Sequence, residues 1–464
     1  MLMKQTLHAS VLWSEPNGKD GLVERVRVKV TRLDDRWSRG WHFIGISWQF
    51  IYIIRALDSV ECTSLPLETI VNSPVNTHKP SAAALAAAIL LLAMSLRAPF
   101  TSLAPVLSWI QSDFLLTTAS AGALTSLPIL AFAVFSPFSA SIAQRFGIER
   151  TLFGALVAIL FGIAIRSAGS YWMLYAGTIL IGVGGALGNV LLPSLIKRDF
   201  SGNVASMTGA YAITMGIAGA IGSILIIPLT EVWGWQVALL MLSLLPILAL
   251  AVWVPHLNNH TDVPDYSNHQ PSNVVIWRSP LAWQVTLFMG FNAMLFYIAV
   301  GWLPKILMDK GLSATEAGSM HGVLQLATAI PGLILAAVLR RMRDHRPAAV
   351  TVSLLSAVSL VGLICAPHFS LVWSAVLGFG CGASMMLGLT FVGLRTNTAA
   401  EAAALSGMSQ SVGYLLGALG PLLLGALRDS FGSWSIPLLV ATAIAILAAW
   451  MGMLAGRNVH LKPG

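Results

Sequence analysis

The sequence predicts an all-α polytopic membrane protein of twelve transmembrane helices in two pseudo-symmetric six-helix halves, and three observations carry this. Of 464 residues, 56% are hydrophobic and only 10% charged, far from the balance of a soluble chain. The charges that exist gather between apolar runs of about the ~20 residues that cross a hydrocarbon core. The last six of these runs repeat residues of the first six, in order.

Residues 1–80 come first and differ in kind. They hold 10 Lys or Arg and 8 Asp or Glu, against 17 and 11 in the 384 residues that follow. The segment shows no small-residue cleavage site and no sustained periodicity. Its most apolar part, Trp41–Ile54, is too short to span but suits an interfacial helix. The expectation is a poorly ordered polar extension, as a start site assigned too far upstream would give; no Met lies between Met3 and Met94.

Six spans follow in residues 81–255, centred near Leu96, Leu127, Ile159, Gly182, Gly216 and Leu244. A polar central loop, 256–279, divides them from six more in 280–456, centred near Leu295, Ala329, Ser356, Gly382, Gly413 and Ile444. Residues 457–464 form a short tail. The other loops are brief, as antiparallel helices packed in sequence order require.

The duplication is read from two registers. At an offset of 198, Thr208, Gly209, Gly219, Ala220 and Gly222 of span five fall on Ser406, Gly407, Gly417, Ala418 and Gly420 of span eleven, and Lys197 falls on Arg395. At an offset of 196, Leu116–Leu124 overlies Leu312–Met320. A repeated six-helix unit is the expected build of an alternating-access transporter, with its site at the repeat interface.

Lys and Arg number 12 in the even-numbered loops and the tail, against 4 in the odd-numbered loops. The positive-inside rule therefore places the even loops and both termini in the cytoplasm. The net charge of +8 reports topology and gives no reason to expect nucleic acid. The three cysteines, Cys62, Cys365 and Cys381, offer neither metal spacing nor a disulfide framework, and no cofactor is expected. An intramembrane enzyme would need paired carboxylates, a metal cluster or an activated nucleophile. Every Asp and Glu after position 80 lies in a loop or at a span end.

Arg97 is the exception among the charges, standing near the middle of the apolar stretch Ser81–Ile110 with no acidic residue in it. A charge at that depth is costly and is usually kept for a task. Ala86, Leu90, Ala93, Arg97, Thr101, Ala104 and Ser108 recur at helical intervals, so Arg97 and Thr101 share one stripe of mostly small residues. The guanidinium either faces a cargo or bonds backbone carbonyls and fixes packing. Its planar fork suits two oxygens at once, as in a nitro group, a carboxylate or a small anion.

In span eight, His321, Gln325, Thr328 and Gly332 share a face. His321 can be a proton site, a contact to cargo or gate, or a packed neutral group. Asn189, Tyr211, Gln284, Asn292, Gln410 and Tyr414 are further polar groups expected at depth, each serving as a cargo contact or as glue between helices. Trp302, before Pro304, is an interfacial anchor or an outer gate.

Six segments, Gly188–Phe200, Trp277–Phe288, Gly301–Leu307, His321–Ala329, Gly388–Arg395 and Ala403–Leu416, resemble the major facilitator superfamily and, within it, the cyanate porter family. The resemblance covers about residues 81–457. It implies a secondary transporter of the bacterial inner membrane, acting as a monomer. The implied cargo is a small nitro-heteroaromatic such as 2-nitroimidazole, moved outward, or alternatively cyanate or another small monovalent anion, taken up. Protons are the coupling ion to consider. The superfamily's loop between spans two and three usually reads G-x-x-x-D-R-x-G-R-[KR]; here Gln144 replaces the acidic residue, while Arg145 and Gly147 remain, so the usual charge relay at this loop is not expected.

Overall fold

The computed structural model describes residues 82–257, 273–339, 341–342 and 344–461. The expectations for residues 1–80, for most of the central loop and for the end of the tail lie outside the described residues. Among those described, every regular element is helical, as a backbone in hydrocarbon must be to satisfy its own polar groups.

Eleven segments are long and apolar enough to cross a bilayer, and one of them accounts for two spans. Ser206–His256 is 51 residues long, about 76 Å as a helix, more than twice the ~30 Å core. Gly234 turns it with φ 78° and ψ 159°, a conformation that a side chain would disfavour. Span five therefore ends before Gly234, and span six runs on into the helix Leu244–Trp253. The twelve predicted spans are present.

Helix ends follow local chemistry. Thr117 caps span two (Thr118–Phe146) by accepting from the Ser120 N–H, and Ser313 with Glu316 forms a capping box at span eight (Ala314–Ala329). The C-terminus of span twelve (Ser435–Ala455) is held from another loop: Arg395 Nε and Nη2 donate to the carbonyls of Ala455 and Gly456 at 3.0 and 3.1 Å. A cation there satisfies orphan carbonyls and opposes the helix dipole. Span one is broken after Thr101, whose carbonyl finds no N–H four residues on at Pro105. The Pro99 carbonyl accepts from Arg166 Nη1 at 2.8 Å.

Packing repeats with the sequence. Span one packs on five and six, two on four, and three on four and six; seven packs on eleven and twelve, eight on ten, and nine on ten and twelve. Across the middle, two meets eleven and five meets eight. Large side chains such as Phe138, Phe161, Leu225, Leu248, Leu333 and Ile446 remain exposed on the outside, where lipid rather than water is the solvent that suits them.

Candidate functional site

Arg97 lies at the meeting of spans one, five, seven and eight. Its Nη2 donates to Gln325 Oε1 at 2.7 Å, and its Cζ stands 4.9 Å from the centre of the Phe296 ring. Among the described residues Nε has no partner. The small residue Gly219 makes room: a β-carbon there would sit 3.4 Å from both Arg97 Cγ and the Gln325 stem.

The hydrogen-bond directions beyond Arg97 are fixed by the guanidinium, which can only donate. Gln325 must present its oxygen to Arg97, so its amide Nε2 donates to His321 Nε2 at 3.3 Å. His321 then carries its proton on Nδ1, 2.9 Å from Ser223 Oγ, and the Ser223 hydroxyl donates to the Gly219 carbonyl at 2.6 Å. The result is a neutral imidazole with both nitrogens satisfied. His321 and Gln325 are fully buried. This chain runs from span one to span eight and back to span five, crossing twice between the halves.

Aromatic rings flank the cation. Phe296 stacks edge to face with Tyr297 at 5.1 Å, Tyr297 meets Phe100 at 5.9 Å, and Phe132 of span two meets Tyr414 of span eleven at 5.6 Å. Tyr211 and Tyr297 lie within electrostatic reach of Arg97, and both within reach of Tyr414. Arg97, Phe100, Phe132, Tyr211, Phe296 and Tyr414 are each partly exposed, as the lining of an accessible cavity would be.

The charge itself remains uncompensated. Among the described residues Asp and Glu sit at helix ends, turns or loops. A cation at mid-membrane costs about 2.5–3.5 kcal/mol on insertion scales. A cation–π contact returns roughly 0.5–2 and a charged hydrogen bond about 1.5–3 kcal/mol. The native partners hold Arg97 in place without neutralising it.

The other sequence candidates divide. Tyr211 donates to Asn189 Oδ1 at 3.3 Å, and Asn189 Nδ2 to the Gly185 carbonyl at 2.9 Å, so this pair ties span five to span four. Thr101 is buried and turns its hydroxyl to the Arg97 carbonyl of its own helix at 3.1 Å. Gln410 Nε2 bonds Ser406 on its own helix at 2.9 Å. Asn292 Nδ2 likewise bonds the Phe288 carbonyl at 2.7 Å, leaving its buried Oδ1 without a described partner. Gln284, expected at depth, accepts from Arg457 at 2.9 Å and so belongs to the basic end of the bundle. Trp302 is fully buried, with Nε1 on the Pro421 carbonyl at 2.9 Å. That position excludes an anchor at the lipid headgroups and puts the indole in the seam between spans two and eleven.

Three features escape the sequence reading. Phe296 and Tyr297 stand in a span apolar on all sides, where no periodicity singles them out. Ser223 carries no signal beyond its alignment with Gly219 on one helical face. An ion pair does form just past the loop after span two, between the start of span three and the end of span four: Arg198 Nη2 reaches Glu149 Oε1 at 2.5 Å and Arg198 Nε reaches Asp199 at 2.7 Å. Glu149 stands five residues past Gln144, the position where the superfamily carries its acidic residue.

Comparison with known proteins agrees with this architecture. The chain is 51% identical to the 2-nitroimidazole transporter of Escherichia coli (strain K12) over 379 residues, 82% of this chain and 96% of that one. It is 23% identical to the cyanate transport protein CynX of the same organism over 75% of this chain and 90% of that one. A bacterial homolog of the human lysosomal transporter Spinster, in an inward-facing and occupied conformation, superposes with a TM-score of 0.67 at 16% identity, covering 82% of this chain and 98% of the other. The profile of the Major Facilitator Superfamily matches residues 84–418. The chain is thus a membrane transporter that belongs to the Major Facilitator Superfamily.

Proposed function

We propose that this transporter carries 2-nitroimidazole or a similar small nitro-heteroaromatic outward across the inner membrane by alternating access. The observation that carries the reading is Arg97: a cation paired, among the described residues, with a neutral amide and an aromatic face, at the junction of the two halves. A planar nitroaromatic offers two oxygens to the guanidinium fork and a ring to the Phe296, Tyr297 and Tyr414 wall. The E. coli relative, whose name gives that cargo, matches over nearly its whole length.

In this reading residues 81–255 and 280–456 are two bundles that rock about the site, the basic end and both termini are cytoplasmic, and one chain suffices. The hydrogen bonds described between the halves, Arg97 to Gln325, His321 to Ser223 and Asp429 to span two, lie at the centre or toward the end opposite the basic loops. That distribution supports an inward-facing state. His321 serves here as a neutral bridge of the gate; a proton, if one is coupled, is carried elsewhere.

Deleting the gene should raise the internal level of 2-nitroimidazole and sensitise cells to it; unchanged accumulation overturns export. The uncompensated charge also fits a second reading, uptake of cyanate, and a change in cyanate uptake in the same strain would favour it. For the site, Arg97→Lys keeps the charge and removes the fork. Normal transport by both Arg97→Lys and Arg97→Ala would exclude Arg97 as a cargo ligand.

A further inference from the structure

We propose that the site takes its cargo as a planar aromatic monoanion, so that a nitroimidazole binds as the azolate, having left its N–H proton in bulk water. This rests on Arg97 being the cargo-facing group, and it specifies the charge state that group selects.

Four observations support it. Arg97 has a neutral side-chain partner, Gln325, and the Asp and Glu of the described residues stand at helix ends, turns or loops. The groups that face it from the packed spans are Tyr211 on five, Tyr297 on seven and His321 on eight, with Tyr414 on eleven close to both tyrosines. Neutral phenols and a neutral imidazole leave the site with one net positive charge. Third, the acceptors along the chain Arg97–Gln325–His321–Ser223 are all engaged, so it has no carboxylate or free acceptor to yield when cargo arrives. Fourth, Arg97 is partly exposed here, an exposure that occlusion must remove.

A neutral cargo would close the cavity over a bare cation, whereas a monoanion would close it over a neutral pair. The aromatic wall asks that the anion be flat and its charge spread. A nitro group acidifies the imidazole N–H and delocalises the resulting charge over two ring nitrogens and two oxygens, which meets both demands. An aromatic carboxylate shares this chemistry.

The test is binding by the purified full-length protein in detergent, across pH, of three probes: 2-nitroimidazole, 1-methyl-2-nitroimidazole, which has no N–H to lose, and benzoate. The apparent Kd for 2-nitroimidazole should fall by about tenfold per pH unit below the pKa of its own N–H and level off above it. The methyl compound should bind roughly tenfold or more weakly, with no pH dependence. Equal binding of the parent and methyl compounds at every pH overturns the proposal. If neither nitroimidazole binds, the cargo assignment fails by itself, and benzoate then decides this one: competition-sensitive binding of benzoate upholds the anionic site, and its absence sinks it.

Discussion

Asp429, near the end of span eleven, accepts the backbone N–H of Thr118 at 3.0 Å with one carboxylate oxygen and that of Ala119 at 2.8 Å with the other. Thr118 opens span two, so a carboxylate of one half caps a helix of the other. The first N–H groups of a helix have no partner within it, and the positive end of its dipole favours an anion. The same end of the seam is filled by Trp302 and Pro421 against Gly122. These contacts must be lost each time the site opens to that side.

Asp429→Asn should therefore loosen the closed seam without unfolding the protein. The amide can still accept one bond but loses the charge assistance, worth about 1–2 kcal/mol, or roughly a 5–30-fold shift in the open-to-closed ratio. A cysteine at Thr125, which lies against Gly301 across the seam, reports opening through its alkylation by a membrane-impermeant reagent. With Cys62, Cys365 and Cys381 replaced, the variant should react faster by about that factor. An unchanged rate would mean that the cap does not hold the seam.

Gly122→Ala approaches the same seam from the other side. A β-carbon at Gly122 would stand 2.6 Å from the Pro421 carbonyl oxygen and 3.2 Å from the Trp302 ring. Because the closer neighbour is backbone, no rotamer change relieves it, and the two halves have to part. Alanine is also the better helix former by roughly 0.8–1.0 kcal/mol, so the helix itself gains. The expected result is faster labelling at position 125 and slower turnover. Gly154→Ala, with nothing within 4 Å of the added carbon, is the control that should leave both unchanged.

Much of this is legible in the amino-acid sequence. Span positions follow from apolar runs between charges, and the duplication from Gly219 and Gly222 recurring as Gly417 and Gly420, because small residues must stay small where helices touch. Arg97 was conspicuous for the same reason that made it costly. Its partner was not: Gln325 lies 228 positions away, and no pattern within either helix selects it over Gln284, Gln410 or Asn292. Burial of Trp302 was equally hidden, since an indole beside a proline near a span end suits a headgroup anchor until span eleven is placed against it. Helices apolar on every side erase the periodicity that would reveal which face meets a cavity, and so the aromatic wall appears only in three dimensions.

The ion pair between spans three and four should contribute to stability. Glu149 has a side chain only 5% exposed, bonded to Arg198 at 2.5 Å. Truncating one partner of a buried pair costs about 3–5 kcal/mol, and the retained contact of Arg198 with Asp199 at 2.7 Å should reduce this to roughly 1–3 kcal/mol. Glu149→Gln should lower the thermal unfolding midpoint in detergent, while the bond from Trp253 Nε1 to the Glu149 carbonyl survives. A midpoint equal to that of the parent protein would show that Asp199 alone satisfies Arg198.

Gln325→Glu supplies the counter-charge that the native site withholds. A carboxylate in place of the amide would stand about where Oε1 now lies, 2.7 Å from Arg97 Nη2. At an effective dielectric near 20 such a pair attracts by about 4 kcal/mol at 4 Å, before the cost of desolvating the new anion. Glutamate cannot donate to His321, but the imidazole can move its proton to Nε2 and accept from Ser223 at Nδ1, and the chain is satisfied again. The fold should thus hold, with a thermal midpoint equal to or above that of the parent. Cargo must then compete with a resident carboxylate for the guanidinium, and affinity should drop by roughly tenfold or more. Unaltered cargo affinity in a stable Gln325→Glu protein would mean that the positive charge of Arg97 is not what the cargo recognises.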